Sequence, residues 1–185
     1  GENAAEHWTQ MLQELRATLT ADGVKYAQKL GQWIYYGRPI GEFGTEYAYR
    51  ALVALVGLGA NTVDVAIYPK TEVDKNGAAL NGEKTYTLHF ESLPPTLEGG
   101  FWSVTAYGED YFLIDNPINR YCINDRSAFE LNEDGTLDIV LSKEAPEDTS
   151  NWLPVSAGEF HLFMRMYVPD MAALDTWQPP VIREL

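Results

Sequence analysis

Residues 160–167 have the sequence Phe-His-Leu-Phe-Met-Arg-Met-Tyr, in which two kinds of side chain alternate strictly. Because the side chains of a β-strand point to opposite faces in turn, this segment predicts a strand with two unlike faces. One face is apolar and belongs to the core: Phe160, Leu162, Met164 and Met166. The other is too aromatic for plain solvent and too polar for a core: His161, Phe163, Arg165 and Tyr167. That second face either lines a cleft or is covered by the N-terminal helices.

The same period of two recurs along most of the chain after residue 60. It predicts further strands at residues 63–68, 85–90, 101–107, 111–114, 120–123 and 137–141. Asp134-Gly135, between residues 129–131 and 137–141, indicates a tight hairpin turn. Since no long helical pattern separates these strands, parallel βαβ units are disfavoured. The predicted fold class is mainly β with N-terminal helices (α+β): an antiparallel β-sandwich of jelly-roll type preceded by two or three helices.

The N-terminal third of the chain predicts helices instead. A first helix presents large apolar side chains on one face: Trp8, Met11, Leu12, Leu15 and Leu19. A second helix is expected from Val24 to Tyr36, where Gly37-Arg38-Pro39 ends it. A third is expected to begin near Thr45, whose hydroxyl would cap it, and to turn inward Tyr47, Ala51, Leu52, Leu55 and Leu58. The predicted organisation is a helical extension over residues 1–40 and a helix plus β-sandwich domain over residues 41–185.

The charge balance limits the classes of partner. Lys and Arg number 13 against 27 Asp and Glu, which gives a net charge of −14 over 185 residues. Nucleic acid and anionic membrane surfaces are excluded as expected partners, because their binding requires clustered Lys and Arg. The one cysteine, Cys122, excludes an internal disulfide framework. No apolar run reaches the roughly 18 to 20 residues that cross a bilayer, so no membrane span is expected. Gly1 in the place of Met predicts that a natural N-terminus, such as a signal peptide or an anchor, has been removed.

One acidic segment has the spacing of a calcium-binding loop. Oxygen-bearing side chains stand at four ligand positions, with Gly77 at the glycine position: Glu72, Asp74, Asn76 and Glu83. The first position should be Asp and the flanking segments should be helices, so a polar hairpin between two strands is favoured and the calcium site stays a weak candidate. No cofactor is predicted, since the phosphate-binding loop, the zinc-protease helix motif and the serine nucleophile elbow are missing from the sequence.

An ordered set of short motifs extends from about Tyr47 to Pro180. Its members are Tyr49-Arg50-Ala51, Gly57 to Asn61, Asp74 with Gly77, Leu80 and Gly82, Phe101-Trp102-Ser103 with Tyr107, Asn116-Pro117 with Arg120-Tyr121, Asp134 to Leu137, Asn151 to Pro154, and Arg165 with Tyr167 and Pro169. Together they resemble the bacterial domain of unknown function 1214, which in larger relatives follows another uncharacterised domain, number 1254. The residues before Tyr47 lie outside the resemblance.

The resemblance implies an antiparallel sandwich of jelly-roll type, in agreement with the alternation, and it implies no established reaction. Members of that family often carry a signal peptide or an N-terminal membrane segment, which implies a periplasmic or envelope-associated location, with the cytoplasm as the alternative. This sequence does not include the partner domain of the two-domain members. If activity in those members needs a cleft between two domains, this chain either only binds or completes the site by self-association.

Four polar residues of the motif set are embedded in apolar surroundings: Asn116, Arg120, Asn151 and Arg165. In the structural interpretation asparagine satisfies turn backbone, and arginine holds a carboxylate or carbonyl groups. In the functional interpretation Arg120 or Arg165 recognises an anion, aromatic side chains form apolar walls, and Asp64 accepts a hydrogen bond. The candidate ligand-binding residues are Asp64, Tyr68, Trp102, Tyr107, Asn116, Arg120, Asn151, Trp152, His161, Arg165 and Tyr167.

Three functions stay open at this point. The first is a non-catalytic, envelope-associated module that binds a small ligand or a protein partner. The second is a hydrolase or lyase whose acid–base pair comes from Asp64, His161 and nearby carboxylates. The third is a structural or assembly domain, in which a second copy of the chain is the partner.

Overall fold

The computed structural model describes residues 2–185. The helices are α1 (Glu2–Gly23), α2 (Tyr47–Val56) and α3 (Met171–Leu174), and a short 3-10 helix covers Val24–Tyr26. The strands are β1 (Ala27–Leu30), β2 (Trp33–Tyr36), β3 (Ala66–Ile67), β4 (Lys70–Thr71), β5 (Tyr86–Phe90), β6 (Thr96–Gly108), β7 (Cys122–Asn124), β8 (Leu137–Ser142), β9 (Trp152–Pro154), β10 (Phe160–Pro169) and β11 (Val181–Glu184). The protein is mainly β with an N-terminal helix, as the alternation predicts.

The chain divides into two compact units. One comprises the chain up to residue 28 together with residues 36–63, and the other comprises residues 29–35 together with residues 64–185. The first unit holds α1 and α2, and the second holds most of the strand residues. The domain division between residues 40 and 41 stays a prediction.

Two sheets form the β-structure. The larger has the strand order β1-β2-β4-β10-β6-β7, with β3 also paired to β10, and the smaller has the order β11-β5-β8-β9. Strand β10 pairs antiparallel with β3, β4 and β6, whereas β8 and β9 run parallel. The antiparallel pairing confirms the predicted class, a mainly β protein with antiparallel sheets. The jelly-roll topology stays a prediction.

The core lies between the two sheets. Strand β10 contributes the apolar face of its alternating sequence, and Leu162, Met164 and Met166 are fully buried. The rings of Tyr86 and Phe160 lie 5.9 Å apart between centroids, and those of Phe90 and Trp102 lie 5.7 Å apart, so residues of both sheets meet there. The segment 160–167 is therefore the strand that its alternation predicts.

The prediction of a helix from Val24 to Tyr36 is wrong. A single 3-10 turn is followed by strands β1 and β2, and Gly31 between them has a φ of 60°. Aromatic and β-branched side chains fill β2, and such residues favour a pleated, half-buried position over a helix. Trp33 is completely buried, and its indole N–H donates to the carbonyl oxygen of Pro180 at 2.8 Å. Long-range packing therefore decides this segment.

Helix α1 forms as predicted, but its apolar side chains are not buried. Trp8, Met11, Leu12 and Leu15 are all more than two-fifths exposed. Helix α2 begins at Tyr47 after Glu46, and no side chain caps it, so the expected cap by Thr45 is also wrong. The sequence of α2 contains two overlapping apolar faces, and the face that is buried is not the one predicted from the spacing.

The buried face of α2 consists of Tyr49, Leu52 and Val53, while Tyr47 and Leu55 are exposed. The Tyr49 ring stacks on that of Tyr26 at 4.0 Å, and its hydroxyl donates to the carbonyl oxygen of Gly37 at 2.9 Å. Burial, together with the neighbouring tyrosines, raises the pKa of Tyr49 to about 12. Aromatic stacking therefore selects the face that periodicity alone could not.

Three predicted strands are shorter than expected or missing. Residues 63–65 form a turn, and only Ala66 and Ile67 of the segment 63–68 pair as β3. Residues 111–114 contribute one isolated bridge, between Tyr107 and Leu113, in place of a strand. The turn at Gly135 has the positive φ expected of it, 85°, but residues 129–131 form no strand. These predictions fail because short apolar runs also occur in loops, where they show the same alternation as a strand.

The candidate calcium segment forms a turn around Asp74. The Asp74 carboxylate accepts from the backbone N–H groups of Asn76 and Ala78, at 2.8 and 2.9 Å, and Val73 and Ala79 form an antiparallel bridge. Within residues 2–185 no three His, Cys, Asp or Glu side chains converge on one point that could hold a metal ion. Burial raises the pKa of Asp74, but these hydrogen bonds outweigh it and hold the pKa below its ordinary value of 3.8.

Replacing Asp74 with Asn is expected to lower the free energy of unfolding by about 1.5–3 kcal/mol at neutral pH, since the group lost is a charged acceptor. A carboxyl group with a depressed pKa stabilises the fold above its unfolded pKa, and that contribution is lost as pH falls through the folded pKa. The deficit of the variant should therefore shrink below pH 3.8. Urea unfolding at several pH values measures it, with the exposed Asp22→Asn as control. A deficit that is equally large in acid contradicts this assignment.

Candidate functional site

The larger sheet has a face that points away from the core, and we call it the outer face. Strand pairing places its side chains opposite one another: His161 with Tyr107, Phe163 with Thr105, Arg165 with Ser103 and Tyr167 with Phe101. Lys70 of β4 pairs with Phe163 from the other side. Directly opposed residues share a face, so the outer face comprises Lys70, Phe101, Ser103, Thr105, Tyr107, His161, Phe163, Arg165 and Tyr167. It is the second face of the segment 160–167, extended across three strands.

Arg165 lies at the centre of the outer face and is half-buried. Its Nη1 donates to the Thr105 hydroxyl at 3.2 Å, and its Nη2 donates to the Tyr107 hydroxyl at 2.7 Å. The guanidinium carbon lies 5.6 Å from the Tyr107 ring centroid and 5.8 Å from that of Phe163. Arginine has five N–H donors, so these two bonds to neutral hydroxyls leave donors for an anion. The arrangement is a cation held between aromatic rings.

One end of the outer face is aromatic. The rings of Phe101 and Tyr167 stack 4.5 Å apart and 10° from parallel, and Tyr68 meets Tyr167 edge-on at 6.2 Å. A hydrogen bond with Tyr68, followed by burial, raises the pKa of Tyr167. The guanidinium group of Arg126 lies 5.7 Å from the Phe101 ring centroid. This end offers flat apolar surface with a second arginine beside it.

The other end contains His161, which is more than nine-tenths buried. The Tyr111 ring stacks on the imidazole at 4.4 Å and 14°. The distance from His161 Nδ1 to Glu72 Oε1 is 3.6 Å, which is too long for a hydrogen bond. Both ring nitrogens are buried and have no hydrogen-bond partner in the described part of the chain. Such groups are rare in folded proteins, because most buried polar atoms bond protein or ordered water.

Lys70 and Tyr111 hold Glu72 beside His161. The Lys70 ammonium contacts the Glu72 carboxylate and donates to the Tyr111 hydroxyl at 3.0 Å, and that hydroxyl donates to Glu72 at 3.2 Å. The hydrogen bond from Lys70 lowers the pKa of Glu72. Burial lowers the pKa of Lys70, but its bonds to Glu72 and Tyr111 outweigh burial and raise it. The pair is therefore ionised at neutral pH.

Tyr111 reaches His161 from a loop with an unusual backbone. Its φ is 63°, a left-handed conformation that costs a non-glycine residue roughly 1–2 kcal/mol. The ligand-binding residues predicted from the sequence do not include Lys70 or Tyr111, and Glu72 is predicted only as a weak calcium ligand. Lys70 could have been found from its alternation with Tyr68, but no sequence signal places the Tyr111 ring on His161.

Five predicted candidates lie on the outer face or against it: Tyr68, Tyr107, His161, Arg165 and Tyr167. The other six lie elsewhere: Asp64, Trp102, Asn116, Arg120, Asn151 and Trp152. Asp64 lies exposed in the turn before β3 instead of on a strand beside Tyr68. Trp102 is 3% exposed and Trp152 is 2% exposed, and both are core residues.

The remaining polar candidates form hydrogen bonds with backbone groups. Arg120 Nη1 donates to the carbonyl oxygens of Thr149, Ser150 and Trp152, at 2.7 to 3.1 Å. The Asn116 amide spans its own loop, bonding the backbone of Ile114 and Arg120. The Asn151 amide bonds both the N–H and the carbonyl of Glu130. These contacts match the structural interpretation of the polar motif residues.

An open depression of about 390 Å³ lies beside the Tyr111 loop. Its lining residues are Gly108, Glu109, Asp110, Phe112, Leu113, Ile114, Ser156, Gly158 and Glu159, and none of them belongs to the outer face. Its acidic lining is unsuited to an anion. The outer face is therefore the stronger candidate site.

Comparisons with known proteins give a family and a fold. The family model described as "Protein of unknown function (DUF1214)" matches residues 65–171. The solved structure of the VPA0106 protein from Vibrio parahaemolyticus is similar over 75% of this chain, at 31% identity and a TM-score of 0.63. This chain spans 35% of that protein. An uncharacterised protein from Burkholderia cenocepacia is 18% identical, with 94% of this chain and 40% of that chain covered and a TM-score of 0.45. No curated protein matches.

Along residues 2–185, none of the helices combines the length and the apolarity that crossing a membrane requires.

Proposed function

This chain belongs to the DUF1214 family, and we propose that its outer face binds a small carboxylic acid with a flat apolar body, without catalysis. Arg165 would hold the carboxylate, and the neighbouring rings would hold the body. The observation that carries the proposal is the arginine itself: its side chain is half-buried on a strand, and within residues 2–185 both of its hydrogen bonds go to neutral hydroxyls. An anion completes such a site, since a guanidinium group recognises a carboxylate through two parallel N–H donors.

The rings around Arg165 support an apolar body on the ligand. Phe163 meets Tyr107 edge-on at 5.4 Å, and both lie within 6 Å of the guanidinium carbon. The Lys70 ammonium lies 5.9 Å from the Phe163 ring centroid on the other side. Aromatic groups with a few convergent polar groups are typical of small-molecule sites. A benzoate-like or cinnamate-like acid fits this combination of cation and ring.

The distribution of charge supports binding of an anionic ligand at the outer face rather than elsewhere on the surface. With a net charge of −14, most of the surface repels anions. The outer face nevertheless carries Lys70 and Arg165, and Arg126 lies at its aromatic end. Glu72 neutralises Lys70 by direct contact, whereas Arg165 at the centre of the face bonds neutral hydroxyls and keeps its charge available to a ligand. An acid would therefore be drawn to Arg165 rather than to the rest of the surface.

Calorimetric titration with cinnamate and with its uncharged amide tests the proposal. Cinnamate is expected to bind about 10- to 150-fold more tightly, the equivalent of a charged hydrogen bond worth about 1.5–3 kcal/mol. Arg165→Gln should abolish that preference, because glutamine keeps a donor but loses the charge. Arg183→Gln, at an exposed position of β11 in the smaller sheet, is the matched control and should leave it intact. Equal affinity for acid and amide, or an unchanged preference in Arg165→Gln, contradicts the proposal.

Acid–base catalysis is the second candidate, and one observation favours it: Glu72 Oε1 lies 3.6 Å from His161 Nδ1, which is longer than a hydrogen bond but within ion-pair distance of a protonated imidazole. Asp64, the acid that the sequence names for this role, lies in the turn before β3, and Glu72 is the carboxylate near His161. It ranks second because Lys70 already engages Glu72. Turnover of a nitrophenyl ester that disappears in His161→Gln would promote it above binding, and turnover unaffected by that change would remove it.

The proposed location is the bacterial envelope, and its support is the family alone. Fractionation of cells that express the natural gene tests it. Recovery with periplasmic or membrane markers is expected, and recovery with cytoplasmic markers contradicts it.

A further inference from the structure

The loop that follows β6 exposes three consecutive large apolar side chains to solvent. Phe112 is 73% exposed, Leu113 is 52% exposed and Tyr111 is 51% exposed. Single apolar residues on a surface are ordinary, but neighbouring ones that form a patch mark interaction sites. The ligand site proposed above includes none of the three, so their exposure needs another explanation.

The backbone of this loop is held in one conformation. Tyr111 has a φ of 63°, which strains a residue other than glycine, and its ring stacks on the His161 imidazole at 4.4 Å. The Gly108 N–H donates to the carbonyl oxygen of Phe112 at 3.0 Å, and the Phe112 N–H donates to the Asp110 carboxylate at 3.0 Å. The loop therefore presents Phe112 to solvent already ordered, and a partner that binds it loses little affinity to ordering the loop.

The exposed side chains adjoin the open depression of about 390 Å³, which Phe112 and Leu113 line. Glu109, Asp110 and Glu159 line it too, and all three are exposed. Within residues 2–185 the ion pairs of Lys and Arg go to other carboxylates, so no cation of the chain neutralises these three acids. The depression therefore combines apolar surface with uncompensated negative charge.

That combination indicates the chemistry of the occupant. An arginine side chain matches it, because a guanidinium group both bonds carboxylates and stacks on an aromatic ring such as that of Phe112. A second copy of the chain does not match, since its net charge of −14 would place acids against acids. Sites for small molecules enclose most of the ligand surface, whereas this depression is open and Phe112 stands largely in solvent. A basic segment of another protein is the occupant that fits.

We propose that the depression and residues 111–113 form a docking surface for a basic segment of a protein partner. An arginine of that segment enters the depression, and an apolar residue beside the arginine packs on Phe112. The proposal does not rest on the proposed function, because no outer-face side chain lines the depression. Binding here is expected to weaken as ionic strength rises, since salt screens exposed charges.

Three short synthetic peptides, titrated calorimetrically into the full chain at low ionic strength, test the proposal. Arginine and leucine alternate in the first peptide. The second has citrulline, an uncharged residue of similar shape, in place of arginine, and the third has serine in place of leucine. The first is expected to bind about tenfold more tightly than either of the others. Failure of the first peptide to bind, or equal binding of all three, overturns the proposal. Equal affinity for the small amine agmatine would make the depression a small-molecule site and also overturns it.

Two variants test whether the first peptide binds at the depression. Phe112→Ser should weaken its binding about fivefold or more, as the loss of a central aromatic residue does, and Glu159→Gln about two- to fivefold, as the loss of an exposed ion pair does. Leu131→Ser and Glu133→Gln are the matched controls and should bind as wild type, because these exposed residues do not line the depression.

An unchanged affinity in both depression variants, or an equal loss in the controls, would show general attraction to an acidic surface and overturn the proposal. Circular dichroism checks that each variant folds. Glu159→Gln decides by itself if Phe112→Ser does not fold, because it replaces an exposed carboxylate with an amide of the same shape.

Discussion

Replacing Trp102 with alanine is expected to lower the free energy of unfolding by about 3–5 kcal/mol, the usual cost of deleting a buried tryptophan. Trp102 is 3% exposed, and its ring lies 5.7 Å from that of Phe90 and 5.8 Å from that of Phe129. The deletion leaves a cavity between the sheets that these rings cannot fill. Each kcal/mol corresponds to about 2–4 °C in a chain of this length, so the Tm should fall by roughly 6–20 °C.

Urea unfolding followed by circular dichroism measures this loss. Trp8→Ala is the matched control, because Trp8 is 62% exposed on α1 and its removal should change the free energy of unfolding by less than about 0.5 kcal/mol. Trp102 was also a candidate ligand wall. A small stability loss accompanied by lost binding of cinnamate would return it to that role and contradict its assignment to the core.

Replacing Gly82 with alanine is expected to destabilise the fold by about 3 kcal/mol or more, at the upper end of the overpacking range. A Cβ atom at Gly82 would lie 1.6 Å from the carbonyl oxygen of Ser156 and 2.8 Å from its carbonyl carbon. These are backbone atoms, so no side-chain rotation relieves the clash. The hydrogen bond from Gly82 N to Gly158 O, 2.9 Å long, holds the two segments together.

Gly158→Ala is the internal control for Gly82→Ala. It adds the same methyl group to the partner segment, but no atom lies within 4 Å of the position its Cβ would take. Its free energy of unfolding should change by less than about 0.5 kcal/mol. Thermal unfolding of both variants measures the contrast. Equal losses at the two glycines would contradict the close approach of the backbone at Gly82.

The strands that could be predicted from the sequence are those long enough to show a period. β5, β8 and β10 each contain an apolar residue at every second position, and one buried face follows from that pattern. β3 and β4 have two residues each, which is too few for any period. β1 contains Gln28 and Lys29, which favour a helix as readily as a strand, so pairing with distant strands decides it.

The candidate site shows the same division between local and distant information. The outer face of β10 follows from alternation alone, and it contains both Arg165 and His161. The neighbours of His161 cannot be predicted from the alternation, because Glu72 and Tyr111 are 89 and 50 residues away from it along the chain. Only the strand register and a left-handed loop bring them together. The two arginine candidates could not be separated from the sequence either: Arg120 bonds three carbonyls, and Arg165 bonds two hydroxyls.

The most direct test of the outer face as a ligand site is a proton–nitrogen correlation spectrum of the labelled chain, recorded with and without cinnamate. Amide shifts are expected to concentrate at residues 103–107 of β6 and 161–167 of β10, and to disappear in Arg165→Gln. Shifts centred on the smaller sheet, or on the acidic depression at residues 108–110, 112–114, 156, 158 and 159, would contradict the outer face as the ligand site.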